Sequence, residues 1–203
     1  MLFSYEFNSI DKSYEQYKKD LITFGYQKKD QRDDLVYQLP YYYIRFYDWY
    51  LNIGSEEFIP IPKYSNFNYK ALQKYSKQLL NPELSGFVYT YGNRLRSYFN
   101  IDQIQYMINN IKNNENTRRA IAITVDPLKD NIESDIPCLQ EIQITIYDKL
   151  LYMNVLFRSN DIKYAFIDNI YGLMNLQLYL SHKIGYKAGD LNYTCYNPHW
   201  KLK

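Results

Sequence analysis

Cysteine occurs only twice in the 203 residues, as Cys138 and Cys195. So small a number makes no disulfide framework, and the expected setting is a reducing one, the cytoplasm. Glycine and proline are scarce too, at seven each. No low-complexity linker, internal repeat or long charge block interrupts the chain. One domain over residues 1–203 is therefore the simplest organisation, with room for a sizeable core. No apolar run is long enough to cross a bilayer, and stretches such as Leu150–Met153 fall far short. The opening MLFSYEFNSIDK has no basic segment followed by a long apolar one, so neither a secretion signal nor a membrane partner is expected. An excess of one charge is missing as well. The formal net charge of +2 argues against a protein that coats nucleic acid, although a local basic cluster can still hold a phosphate.

Tyrosine, by contrast, is abundant at 25 copies. Tyrosines can stack on bases, but their commoner use is at the edge of a core, where the ring is buried and the hydroxyl stays wet. The core-edge use is the expectation here. Asp11–Phe24 reads as a helix capped by Ser9 or Asp11, with Tyr14, Tyr17 and Leu21 at helical spacing. Lys28–Asp34 reads as a charged loop, and Leu35–Tyr50 is aromatic and β-prone with no clear period. Pro60 and Pro62 mark an irregular connection, and Tyr69–Leu80 reads as a helix with Leu72, Tyr75 and Leu79 on one face.

The second half carries stronger signals. Asn100 and Gln103 suggest a capping box ahead of an apolar stripe formed by Ile101, Ile104, Met107, Ile108 and Ile111. Arg119–Val125 reads as a strand. Glu141–Tyr147 alternates isoleucine with polar residues, and Asp148-Lys149 can turn it into a second strand, Leu151–Phe157. Asn169–Ile184 is a helix apolar nearly all round, hence central, with Gly185 as its stop. Hairpin strands followed by a buried helix indicate an α/β or α+β fold built on a mixed sheet. In such a fold the loop Asp126–Pro137 delivers Cys138 to the entrance of a strand.

A lone cysteine before a strand is by itself most often an inert core residue. Nucleophilic use needs a cation nearby to favour the thiolate. Two candidates exist, the pair Arg118-Arg119 and the single Arg158. Arg158 and Ser159 end a strand, where a guanidinium fork and a hydroxyl make good phosphate ligands, although an edge salt bridge from Arg158 to Asp161 explains them equally well. Cys195 and His199 form at most half of a zinc site, and no second Cys/His pair has suitable spacing, so no metal is expected.

The segments Tyr91-Gly92, Ile101-Asp102-Gln103-Ile104, Thr117-Arg118-Arg119-Ala120, Pro137-Cys138, Arg158-Ser159-Asn160-Asp161, Asn169, Gly189-Asp190 and His199 form one ordered series. Their order and spacing resemble the thymidylate synthase family. Cys138-Leu139 and Asn169-Ile170-Tyr171-Gly172-Leu173 look most like its short archaeal-type members. The resemblance covers a little over half the chain. It implies a mixed sheet with packed helices, one sheet face of which forms a homodimer interface. It also implies that Cys138 adds to carbon 6 of a pyrimidine nucleoside monophosphate, so that carbon 5 can accept the one-carbon unit of 5,10-methylenetetrahydrofolate. By the same resemblance Arg158 and Ser159 hold the phosphate, Arg118 and Arg119 hold the phosphate of the partner subunit's site, and Tyr91 helps remove the carbon 5 proton. Asn169 reads the pyrimidine edge, Asp161 faces the folate and His199 contacts the sugar.

The chain also departs from the family pattern. Lys201 stands where a tyrosine usually follows the histidine by two places, which touches sugar selectivity. The sequence stops at Lys203, where many family members continue into a tail that closes over folate. The N-terminal folate-side motif with Trp and Glu is not recognisable, and Arg32 is the sole candidate for the N-terminal phosphate-loop arginine. Asp168 lies beside Asn169, and an aspartate at the base-reading position is the mark of the related deoxycytidylate hydroxymethylases. Three readings follow: synthesis of dTMP from dUMP, 5-hydroxymethylation of dUMP or dCMP, and a catalytically degenerate relative that binds nucleotide or RNA.

Overall fold

The computed structural model describes residues 2–53, 59–84, 86–132 and 135–202. In chain order the strands are β1 (Ser4–Phe7), β2 (Tyr26–Lys29), β3 (Leu35–Gln38), β4 (Tyr42–Phe46), β5 (Ile121–Ile123), β6 (Leu139–Tyr147), β7 (Leu150–Phe157), β8 (Asn160–Asp161), β9 (Lys187–Cys195) and β10 (Pro198–Lys201). The helices are α1 (Ile10–Phe24), α2 (Tyr69–Gln78), α3 (Tyr91–Arg96), α4 (Gln103–Asn113) and α5 (Phe166–Ile184). The larger sheet has six strands in the order β1-β4-β9-β7-β6-β5, and the smaller has four in the order β2-β3-β10-β8. Parallel and antiparallel pairs occur in both, so the expected mixed sheet with packed helices is what the chain forms.

The hairpin β6–β7 turns on Asp148 and Lys149, whose φ values of 48° and 61° are both left-handed. That geometry matches the twist of two antiparallel strands. Strand β7 then passes through α5 to a parallel partner, β9. Register puts Ile142, Ile144, Met153, Val155, Leu191 and Tyr193 on one face of the large sheet, and all six are buried. Ile170, Leu173, Met174 and Leu180 of α5 belong to the same apolar core. Gly185 ends α5 with φ 94°, and its N–H donates to Ser181 O at 2.9 Å. The opposite face of the sheet is half-buried and polar. There Tyr43 donates to Asn192 at 2.8 Å, Asn192 to Asn154 at 2.9 Å, and Arg45 to Asp190 at 2.7 Å.

Several elements differ from the sequence expectation for physical reasons. Lys28–Asp34 is not wholly a loop, because Lys28 and Lys29 belong to β2, an exposed edge strand with no alternation to reveal it. Asn100 does not cap α4. It sits at φ 58°, and Asp102 is the cap, its carboxylate accepting from Gln105 N at 3.0 Å. The strand expected over Arg119–Val125 shortens to β5, and α5 begins three residues before Asn169. Part of the loop ahead of Cys138, residues 133 and 134, lies outside the described residues.

That loop is anchored from below. Arg94 Nη2 donates to Asp130 Oδ1 at 2.6 Å, with the two side chains 6% and 1% exposed. Asp130 Oδ2 accepts from Asp126 N at 2.7 Å, and the guanidinium lies 3.9 Å from the Tyr98 ring centroid. Removing one partner leaves a buried charge uncompensated, which costs about 3–5 kcal/mol. Asp130→Ala should therefore lower the unfolding free energy by about that amount. A shift of the urea midpoint corresponding to less than about 1 kcal/mol would show that the pair is not the anchor.

Candidate active site

A cavity of about 870 Å³ opens between the two sheets and α2. Its walls come from the β2–β3 turn, the segment before α3, the start of β6, the end of β7 with β8, the first turns of α5, and β10. Cys138, Tyr91, Arg158, Ser159, Asp161, Asn169 and His199 all line it. They come from segments 108 residues apart at the extremes, Tyr91 and His199, so the fold and not local sequence brings them together.

Cys138 is held by its neighbours' backbones. Its carbonyl accepts from Arg158 N at 2.9 Å, and the register between β6 and β7 shifts between Leu139 and Glu141. Such a bulge re-aims the side chain at a strand entrance. Thr124 Oγ1 donates to Leu139 O, and Leu139 N donates to Tyr91 Oη at 3.3 Å. The Arg158 guanidinium spends two donors on the same segment, Nε on Pro137 O at 3.1 Å and Nη2 on Ile136 O at 2.6 Å. It makes no ion pair with Asp161, so the edge-bridge reading of that arginine is not what the structure shows.

Burial pushes the Cys138 thiol above its ordinary value, and Asp135 and Asp161 add to the rise. Arg158 and, more weakly, Arg32 pull it back. The sulfur is thus partly desolvated, with the Arg158 guanidinium opposing the cost of its anion. Tyr91 is raised well above the phenol value, chiefly by burial and then by Cys138. Tyr89 and Tyr75 are raised by burial too. These three phenols therefore keep their protons at neutral pH and are able to donate, as Tyr75 does to Asn169. Cys195 is a different thiol. It is fully buried on β9, and burial pushes it up to about 12.

Ser159 Oγ donates to Asn197 O at 2.9 Å and lies 3.2 Å from His199 Nδ1. His199 Nε2 lies 4.0 Å from Asp161 Oδ2. Asp161 Oδ1 accepts from Lys163 N at 3.1 Å and Tyr164 N at 3.2 Å. Lys201, at the departure from the family pattern, lines the cavity and pairs with Asp34 at 2.9 Å. Arg32 also lines the cavity from the exposed β2–β3 turn, 3.6 Å from Asp135.

Two expected residues do not join this group. Arg118 and Arg119 are exposed and border a separate cavity of about 440 Å³ with Asn110, Asn113 and Asn114. Asp168 is buried away from the main cavity, accepting from Ser65 Oγ at 2.6 Å, and burial raises its carboxyl. Helical geometry thus brings Asn169, and not Asp168, to the cavity wall.

Three further lining residues have roles that the sequence does not display. Tyr75 falls on an apolar helical stripe, and its hydroxyl donates to Asn169 Oδ1. Tyr89 lies in a stretch with no periodic signal. Asn160 accepts from Asn169 Nδ2 at 3.2 Å, and its place between Ser159 and Asp161 was the one available hint.

Comparison with known proteins covers the same residues. A family model described as thymidylate synthase matches residues 65–200. A protein of Methanothermobacter thermautotrophicus named "Putative thymidylate synthase" is 30% identical over 207 residues, covering 98% of this chain and 93% of its own. Proteins with that same name from Methanopyrus kandleri and Methanococcoides burtonii are 37% identical over 147 residues and 38% identical over 141. They cover 72% and 68% of this chain and 70% and 65% of their own lengths.

Proposed function

This chain belongs to the thymidylate synthase family, and from that premise we propose that it transfers a one-carbon unit from 5,10-methylenetetrahydrofolate to carbon 5 of dUMP. The products are dTMP and dihydrofolate, and the route is a covalent adduct of Cys138. The observation that carries the reading is one cavity lined by a partly buried thiol, a guanidinium tied to the thiol's own segment, and an amide on α5.

Each chain residue has a physical task. Arg158 and Ser159 bind the phosphate, and Arg158 lowers the cost of the thiolate. The thiolate forms a bond to carbon 6, and the electrons of the carbon 5–carbon 6 double bond move onto carbon 5 and the carbon 4 oxygen. Carbon 5 then bonds the one-carbon unit, loss of the carbon 5 proton expels the folate nitrogen from that unit, and hydride added to the same unit restores the carbon 5–carbon 6 double bond as the Cys138 sulfur departs as thiolate. Tyr91 donates within the network through which that proton leaves. Asn169 offers the uracil edge a donor and an acceptor. His199, oriented by Ser159, contacts the sugar.

Methylenetetrahydrofolate supplies the carbon and the hydride that makes it a methyl group. The cavity fits such a molecule by its chemistry: Phe87 and Val88, 61% and 68% exposed, give an apolar wall for a heteroaromatic ring, and Asp161 gives an acceptor for ring N–H groups. No metal has a role in the proposed reaction.

The exposed Arg118 and Arg119, outside their own chain's cavity, support sites shared across a homodimer whose interface is the polar face of the large sheet. Mixing a Cys138→Ala subunit with an Arg119→Ala subunit should then restore activity that neither has alone. No recovery despite proven subunit exchange would remove the shared site. Residues 1–203 are read as one catalytic domain at work in the cytoplasm, which two free cysteines support.

The test incubates the protein with dUMP and methylenetetrahydrofolate and follows dTMP and dihydrofolate together. Equal yields support synthesis. A 5-hydroxymethyl product with tetrahydrofolate identifies the hydroxymethylase alternative, in which water adds instead of hydride. The N-terminal folate-side motif with Trp and Glu is not recognisable in this chain, and an altered folate side that could admit water is the feature that favours keeping this second reading. Nucleotide binding with no turnover identifies the degenerate relative.

A further inference from the structure

Behind Asn169 lies a chain of buried polar groups that the proposed reaction does not itself use. Tyr75 Oη donates to Asn169 Oδ1. Asn169 Nδ2 donates to Asn160 Oδ1 at 3.2 Å, and Asn160 Nδ2 donates to Tyr193 Oη at 3.1 Å. Asn169 is 7% exposed and Asn160 2%. The ring of Tyr75 reaches this place because residue 172, one helical turn beyond Asn169, is glycine. A Cβ at Gly172 would lie 3.3 Å from Tyr75 Cε1 and 2.9 Å from Leu79 Cδ1.

An amide has two N–H donors and two lone pairs. The buried chain occupies one of each on Asn169, leaving one donor and one acceptor for a ligand in the cavity. Uracil presents a carbonyl at carbon 4 and an N–H at position 3, whereas cytosine presents an amino group and a bare nitrogen. The same amide turned over would suit cytosine. Turning it over requires Asn160 to turn as well and both phenols to exchange donor and acceptor roles.

We propose that Tyr75 is a positioning residue for base selectivity: by holding the Asn169 oxygen it fixes the amide in the orientation that pairs with uracil and excludes cytosine. This rests on the reading of the cavity as a pyrimidine nucleotide site. It adds to that reading a second helix, α2, as the source of discrimination. Burial of Tyr75 supports the role, since a phenol that keeps its proton remains a donor throughout the working pH range.

The experiment measures dissociation constants of dUMP and dCMP by titration calorimetry on the full chain, for wild type, Tyr75→Phe and Gly172→Ala. Wild type should prefer dUMP. Tyr75→Phe removes one neutral hydrogen bond and should cut the dUMP-to-dCMP preference by about tenfold. Gly172→Ala, which displaces the ring without altering any polar group, should reduce the same ratio. A purely structural role would weaken both nucleotides alike and leave the ratio unmoved. A ratio within twofold of wild type in Tyr75→Phe would overturn the assignment while leaving the proposed function in place. A wild type that binds neither nucleotide would remove both.

Discussion

Cys138→Ala should lower turnover of dUMP by at least about 10⁴-fold, since loss of a nucleophile costs about that much or more where no other group can form the covalent bond. Nucleotide affinity should change by no more than a few-fold, because Arg158, Ser159 and Asn169 stay in place. The second cysteine cannot substitute. Cys195 lies fully buried on β9, and its thiol, pushed up to about 12, stays protonated. Single-turnover assays together with calorimetry separate the two effects. Residual activity above about one per cent of wild type would mean that the sulfur is not the attacking atom.

Arg158→Met should act on both ends of the site. The substitution removes two hydrogen bonds to the segment ahead of Cys138 and the main cation that opposes the raised thiol. Charge-assisted hydrogen bonds are worth about 1.5–3 kcal/mol each, so kcat/KM should fall by roughly 10²–10⁴-fold. The pH dependence has a definite sign. Thiolate accumulates as pH rises through the thiol pKa, and the rate rises with it. Removing the guanidinium raises that pKa further, so the acid limb of the kcat/KM profile moves to higher pH. Alkylation of Cys138 by iodoacetamide across the same pH range checks the shift without turnover. Arg158→Lys should recover part of the pH shift and little of the rate, because an ammonium keeps the charge but lacks the planar fork. An alkylation profile unchanged in Arg158→Met would separate the arginine from the thiol.

The parts of the fold that were legible in the sequence are those in which one periodicity acts alone. The strands β6 and β7 alternate because one face packs on α5 and the other is half wet. Helix α5 is apolar all round because it is buried on nearly every side. The N-terminal strands gave no such signal. They are four or five residues long, and β2 is exposed at every position, so its lysines read as a loop. Strand β9 hid for the opposite reason. Gly189 and Asp190 are buried in succession within it, the aspartate being paired to Arg45, and this breaks the alternation.

For the site, Cys138, Arg158, Asn169 and His199 were identified from their family spacing, and they line one cavity. The relatives come from archaeal species, in keeping with the resemblance noted at Cys138-Leu139. Tyr75 was beyond the reach of sequence because its ring satisfies an apolar helical stripe while its hydroxyl satisfies an amide nearly a hundred positions away. Periodicity counts the ring and is blind to the oxygen. Arg118 and Arg119 pose the reverse problem. In the proposed dimer their task lies in another subunit's cavity, and the geometry of one chain displays them only as exposed cations.

The central claim is that the Cys138 sulfur adds to carbon 6 of the base. It is tested most directly by intact-protein and peptide mass spectrometry after incubation with 5-fluoro-dUMP and methylenetetrahydrofolate, because fluorine at carbon 5 cannot leave as a proton does and the adduct is trapped. The account predicts one added nucleotide and one added folate per chain, both on the peptide that contains Cys138. A chain of unchanged mass, or a label carried by any other residue, would contradict it.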